Sequence, residues 1–190
     1  MVPPSCRVVL PTAPEQPVTL NDGYEMNSWF DIYPMRQRIE VVRDLYDKYD
    51  QKSMMKSVEL VTKLVDQEVE RLDGKSEKVF IGGFSQGCAL SLATFLMYPK
   101  RLGGVLGLSG MLALDVAEET LDLECKKNTP IFLYHGEDDQ MIDVNSAKLS
   151  YSMLDKYGVK YSLKTEKDLG HSISEKEIGL IGKFMEDNCE

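Results

Sequence analysis

Apolar positions along the chain follow two alternating patterns. Short β-branched or aliphatic runs at 7–10, 78–81, 104–108, 131–134 and 161–165 predict strands, and stretches with helical spacing at 35–49, 54–72, 88–98, 144–157 and 173–188 predict helices. In the second helical stretch Val58, Val61, Leu64, Val65 and Val69 recur at steps of three and four, which places them on one helix face. The last stretch opens on Ser172-Ile173-Ser174-Glu175, the spacing of a capping box, and continues into Ile178, Leu180, Ile181 and Phe184. Parallel neighbours require a crossover, so strands alternating with helices imply an α/β fold with a mostly parallel sheet covered on both faces. Residues 112–129, where Asp115, Glu118, Glu119, Asp122 and Glu124 surround a few leucines, read as a short helix and a surface loop. No repeat, low-complexity segment or long linker divides the chain, so 1–190 is expected to form one domain.

Composition narrows the function classes. Apolar residues make up 43% and charged residues 28% of 190, the balance of a soluble globular chain able to bury roughly 70% of its unfolded surface. The most apolar stretch, 103–114, is broken by glycines and Ser109 and falls short of the roughly 18 residues of a membrane span. Prolines interrupt the opening residues where a secretion signal needs a continuous apolar segment. Cys6, Cys88, Cys125 and Cys189 are scattered, with no Cys-x-x-Cys pair, which points to reduced thiols in the cytosol rather than to a zinc site or a disulfide framework. A net charge of −9 spread along the chain repels phosphate backbones and anionic lipid surfaces, so nucleic acid is excluded as a partner.

The candidate chemistry begins at Gly83-Phe84-Ser85-Gln86-Gly87, between a predicted strand and a predicted helix. That is the context of a nucleophile elbow, a strained turn that lifts a serine hydroxyl to the carboxyl end of a sheet. Glycines two residues to either side are expected because side chains there collide with the crossing strand and helix. The turn also aims the backbone N–H of Gln86 at the place where an oxyanion forms. A serine needs a base, and the chain has two histidines. His171, after the last predicted strand and before the last helix, lies where a loop at the carboxyl end of the sheet belongs, and the order Ser, Asp, His is that of α/β-hydrolases. His135 closes an apolar strand and reads as a structural imidazole bonded to nearby backbone. For the carboxylate that orients the base, the loop Gly136-Glu137-Asp138-Asp139-Gln140-Met141-Ile142-Asp143 offers four groups. Asp143 stands at a helix start as an N-cap and Glu137 follows the glycine too closely, which leaves Asp138 and Asp139.

Taken together these residues resemble a known family, the acyl-protein thioesterases with their carboxylesterase and lysophospholipase relatives. The likeness runs in order through Pro11-Thr-Ala-Pro14, Pro17-Val-Thr-Leu20, Ser28-Trp-Phe-Asp31, Gly82-Gly-Phe-Ser-Gln-Gly87, Leu108-Ser-Gly110, His135-Gly-x-x-Asp139 and Gly170-His171. The resemblance implies an α/β-hydrolase fold, Asp139 as the triad acid with Asp138 its variable neighbour, and Met141 lining an acyl channel. It also implies hydrolysis of a fatty acyl thioester on a protein cysteine, or of the acyl ester of a lysophospholipid, with no cofactor and no metal. Departures are Gln140 where the family has proline and Cys88 where it has a second glycine. The family's opening strand and its His-Gly-x-Gly-Asp-like loop, source of the second oxyanion donor, have no match before Arg7. Strands 7–10 and 78–81 are then expected to pair directly, to be bridged by another chain as a homo-oligomer, or to belong to a shortened form. Two other readings accompany the thioesterase: a weak or inactive acyl-binding protein that keeps the fold, and a hydrolase of small esters or lactones.

Overall fold

The computed structural model describes residues 3–34 and 41–189. A hairpin, β1 (Glu15–Val18) and β2 (Tyr24–Asn27), comes first and turns through Asp22 and Gly23 at φ 55° and 75°. The helices α1 (Val42–Tyr46) and α2 (Gln51–Arg71) follow. Then β3 (Phe80–Phe84), α3 (Gln86–Met97), β4 (Gly104–Leu108), β5 (Ile131–Gly136), α4 (Val144–Lys156), β6 (Ser162–Glu166) and α5 (Glu175–Asn188) complete the order. The last four strands form one parallel sheet in the order β3-β4-β5-β6.

Alternation along the central strands divides the core into two layers. Val105 of β4 with Ile131 and Leu133 of β5 pack against residues of α2, α3 and α4, whereas Leu108, Phe132 and Tyr134 face the opposite way onto Leu180, Ile181 and Phe184 of α5. Period-two side-chain direction on a pleated sheet produces this division, and each fully buried large side chain contributes about 1.5–3 kcal/mol. The predicted stripe on α2 packs inward through Val58, Val65 and Val69, and Asp50 caps the helix by accepting a bond from the Ser53 N–H. Asp143 likewise caps α4, accepting from the Ser146 N–H.

Several expectations are corrected. Residues 7–10 do not form a strand: Val8, Val9 and Leu10 are exposed, and Arg7 is paired with Glu68 of α2. A strand exists through its ladder, and among the described residues this segment has no ladder partner, so it does not pair directly with β3. Of the helix expected over 35–49, residues 35–40 lie outside the described ones, and helix spans Val42–Tyr46. The capping box of α5 is formed by Ser174 and Glu177, two residues later than the sequence spacing suggested. Residues 112–129 carry two short 3-10 turns, Glu118–Thr120 and Glu124–Lys126, and Met111–Leu114 beside them is buried.

Among the described residues the order of the sheet leaves β3 at an edge. The Val79 carbonyl accepts from the Gly103 N–H just before β4 and the Ser85 N–H donates to the Leu108 carbonyl of β4, so alternation along a parallel ladder turns the backbone groups of Phe80, Gly82 and Phe84 toward the open side.

Candidate active site

Three loops at the carboxyl ends of β3, β5 and β6 converge. The first is the turn between β3 and α3, where Ser85 takes φ 55° and ψ −114°, a conformation that costs a non-glycine residue on the order of 1–3 kcal/mol. The surrounding lattice imposes it: the Ser85 N–H bonds to the Leu108 carbonyl at 2.8 Å, while the Ser85 carbonyl accepts from the Cys88 and Ala89 N–H groups at 3.0 and 3.2 Å. A Cβ on Gly83 would lie 2.4 Å from the backbone of Gly87, so Gly83 is required by the crossing of strand and helix. The expected matching constraint on Gly87 is absent, since a Cβ there meets nothing within 4 Å. Cys88 fits beneath the elbow because Gly107 and Gly110 leave space for its sulfur.

The second loop carries Asp139, which is 6% exposed. One carboxylate oxygen, Oδ1, accepts from the backbone N–H groups of Met141 and Ile142 at 2.8 and 2.9 Å, and the other, Oδ2, lies 2.7 Å from His171 Nδ1. Burial works to raise its pKa, but the bonds from Ile142, His171 and Met141 outweigh it and hold the carboxyl below the ordinary range. Asp138 is exposed, and Glu137 accepts a bond from the Thr165 hydroxyl instead of entering the site.

The third loop brings His171 over the elbow, with Nε2 2.9 Å from Ser85 Oγ. Close approach of this loop to β5 depends on Gly136, whose added Cβ would stand 2.2 Å from the Leu169 carbonyl oxygen. The carboxylate at Nδ1 requires a proton on that nitrogen, leaving Nε2 free to accept from the serine hydroxyl. Phe84 holds the other side of the imidazole, their ring centroids 4.8 Å apart. Serine, histidine and carboxylate thus form one unbroken hydrogen-bonded line.

His135 is fully buried beside this line. Its Nε2 donates to the Ile142 carbonyl at 2.8 Å and lies 3.4 Å from Asp139 Oδ2, while burial lowers its pKa and keeps the ring neutral. The structural reading of His135 therefore fits its position, with an addition that the strand pattern did not reveal: it braces the loop that holds Asp139.

A second feature missed from the sequence is the side chain of Gln86. Its Oε1 accepts from the Trp29 N–H at 2.9 Å, and its Nε2 donates to Ser28 Oγ and the Phe30 carbonyl, each at 2.8 Å. Phe30 is buried against Tyr49, and Asp31 accepts from the Thr19 N–H and hydroxyl. The Ser28-Trp-Phe-Asp31 motif thereby ties the hairpin region to the start of α3. As first residue of α3, Gln86 has a backbone N–H without an intrahelical partner, free for a ligand. Met141 and Ile173, each two residues past Asp139 and His171, are exposed at 63% and 44%. A cleft lined by Lys78, Arg101, Lys127 and Lys160 lies at the amino end of the sheet and contains none of these groups.

Residues 1–189 match the phospholipase/carboxylesterase family. The chain belongs to that family. It is 37% identical over 177 residues to carboxylesterase SOBER1 of Arabidopsis thaliana, covering 93% of this chain and 75% of that protein. It is 36% identical over 180 residues to acyl-protein thioesterase 1 homolog 1 of Dictyostelium discoideum, covering 94% and 75%. The crystal structure of Arabidopsis thaliana SOBER1 superposes with a TM-score of 0.84 at 36% identity, over 96% of this chain and 83% of that one. These likenesses establish the α/β-hydrolase fold and a serine hydrolase.

Proposed function

We propose that this chain, as one catalytic unit over 1–190, hydrolyses fatty acyl thioesters of S-acylated proteins through an acyl-enzyme on Ser85. The observation that carries this is the continuous line Ser85 Oγ, His171 and Asp139, at 2.9 and 2.7 Å. His171 accepts the hydroxyl proton through Nε2 as Ser85 attacks the acyl carbonyl, then returns it to the leaving thiolate; Asp139 stabilises the imidazolium without taking the proton. Water, activated by the same imidazole, releases the fatty acid. The exposed apolar side chains of Met141 and Ile173 beside the acid and base support an alkyl chain as the acyl group, with Met141 in contact with it. No helix among the described residues is long and apolar enough to cross a membrane, and we place the protein in the cytoplasm on the reduced-thiol reading of its cysteines.

The test is a series of acyl thioesters from acetyl to palmitoyl, run beside a lysophospholipid and a short-chain ester. Turnover that rises with chain length and favours the thioester supports this function. A preference for the lysophospholipid moves the leaving group to an alcohol, a preference for the short ester makes the protein a small-ester or lactone hydrolase, and no turnover leaves an acyl-binding protein.

The base must be neutral to accept a proton. Because Asp139 is held below the ordinary carboxylate range, it stays ionised at pH values where a free carboxylate takes up a proton, so the acid limb of kcat/KM is expected to carry no second proton from Asp139. Initial rates at low substrate between about pH 5 and 8 check this, and a flat profile contradicts a histidine base.

A third expectation concerns the oxyanion. In this fold one donor follows the nucleophile, here the Gln86 N–H, and a second comes from a loop after another strand. Among the described residues the open edge of β3 has no such neighbour. We further propose that this edge pairs with a second copy of the chain: a dimer is the expected solution mass, and a monomer at every concentration contradicts the pairing.

A further inference from the structure

All four cysteines are free, but their surroundings differ. Cys88 is fully buried beneath the elbow, and burial pushes its thiol up to about 12. Cys125 points its sulfur at the carbonyls of Asp122 and Pro99, 3.2 and 3.8 Å away. Cys6 and Cys189, 183 positions apart in sequence, are brought together: both are half-buried, and their Sγ atoms stand 3.9 Å apart.

We propose that Cys6 and Cys189 form a thiol–disulfide exchange site, at which a low-molecular-weight disulfide such as oxidised glutathione links the two ends of the described chain covalently. The assignment is independent of the hydrolase reading. A disulfide holds its sulfurs about 2.0 Å apart, so the pair must close by roughly 1.9 Å. Neither residue lies inside a helix or strand. The Cys6 N–H is held by one turn bond to the Pro3 carbonyl, and Cys189 is the terminal cap of α5, its N–H bonded to the Met185 carbonyl. Closure therefore requires only side-chain rotation and a small shift of two segments that lie outside the helices and strands.

Burial and the neighbouring Cys6 push the Cys189 thiol up, and Cys6, on a segment held by a single turn bond, is taken as the attacking sulfur. Cys6, having lost its proton to solvent, attacks one sulfur of oxidised glutathione; that S–S bond breaks and one glutathione thiolate leaves. Cys189 then loses its proton and attacks Cys6 Sγ, expelling the second glutathione thiolate. Two protein thiols are oxidised by two electrons, and one glutathione disulfide is reduced to two thiols. The product ties the segment holding Val8, Val9 and Leu10, which has no ladder partner among the described residues, to the end of α5. A cross-link between residues 183 positions apart restricts the unfolded ensemble more than a short loop does, so oxidation is expected to raise the thermal midpoint by several degrees.

The test incubates the full chain with oxidised glutathione, blocks remaining thiols by alkylation, and maps the peptides by mass spectrometry beside a non-reducing gel. The expected result is a peptide joining Cys6 to Cys189 in a species of monomer mobility, with a higher thermal midpoint than the reduced protein. In Cys189→Ser the glutathione adduct is expected to remain on Cys6, and the rise in midpoint to disappear. Separate glutathione adducts on the two cysteines of the wild-type chain, a link to Cys125 or to a second molecule, or no reaction at either cysteine overturns the proposal.

Discussion

Ser85→Ala is expected to lower turnover of a medium-chain acyl thioester by about 10⁴- to 10⁶-fold while leaving the protein folded. In the proposed mechanism the hydroxyl oxygen joins the acyl group, and His171 Nε2 stands 2.9 Å from that oxygen. Without it, neither the imidazole nor the Gln86 N–H has a nucleophile to serve, and only slow attack by water remains. The change removes one oxygen from a side chain at a strained turn, and it leaves intact the backbone bonds to Leu108, Cys88 and Ala89 that define the elbow. Circular dichroism and thermal midpoint are therefore expected to match the wild type. Steady-state hydrolysis checks the prediction, and turnover equal to wild type removes Ser85 from the mechanism.

The second large effect distinguishes two adjacent carboxylates. Asp139→Asn is expected to reduce kcat by about 10³- to 10⁴-fold, and Asp138→Asn to change it little. Asp139 is buried and accepts from two backbone N–H groups and from His171; an amide nitrogen turned toward His171 presents a donor to Nδ1 and selects the wrong tautomer. His135 Nε2, which stands 3.4 Å from the same oxygen, also loses its favourable neighbour. Asp138 is exposed, and its backbone N–H, not its side chain, bonds to the Leu169 carbonyl. Parallel measurement of kcat for the two variants settles the matter, and the reverse ranking moves the acid one residue toward the amino terminus.

Much of this was legible in the sequence because the relevant signals are local. Short continuous apolar runs such as Ile131 to Tyr134 give both the strand and its two buried faces, and the elbow follows from glycine and serine spacing at a strand-to-helix junction. Residues 7–10 misled because a β-branched run encodes a strand only where a partner supplies the ladder, and that partner is not encoded locally. The opposite error befell the β1–β2 hairpin, whose short strands are weakly apolar although Asp22-Gly23 is a strong hairpin-turn dipeptide. At α5 two serines compete for the cap, and Ser174 wins because its hydroxyl also donates to Glu166 on β6, a tertiary bond that spacing alone does not contain. The Gln86 side chain and the Ser28–Phe30 backbone meet across more than fifty residues, so only the recurrence of both motifs in one chain hinted at their contact.

The central claim is that Ser85 is the activated nucleophile, and covalent capture tests it most directly. The folded wild-type chain is treated with a fluorophosphonate and its peptides are mapped by mass spectrometry, beside a sample unfolded in denaturant and the Ser85→Ala variant. The account predicts one adduct, on Ser85, that is lost on unfolding and absent from the variant, because reactivity depends on the imidazole held at 2.9 Å rather than on serine itself. An adduct on another residue of the folded chain, or equal labelling of Ser85 in the folded and unfolded samples, contradicts it.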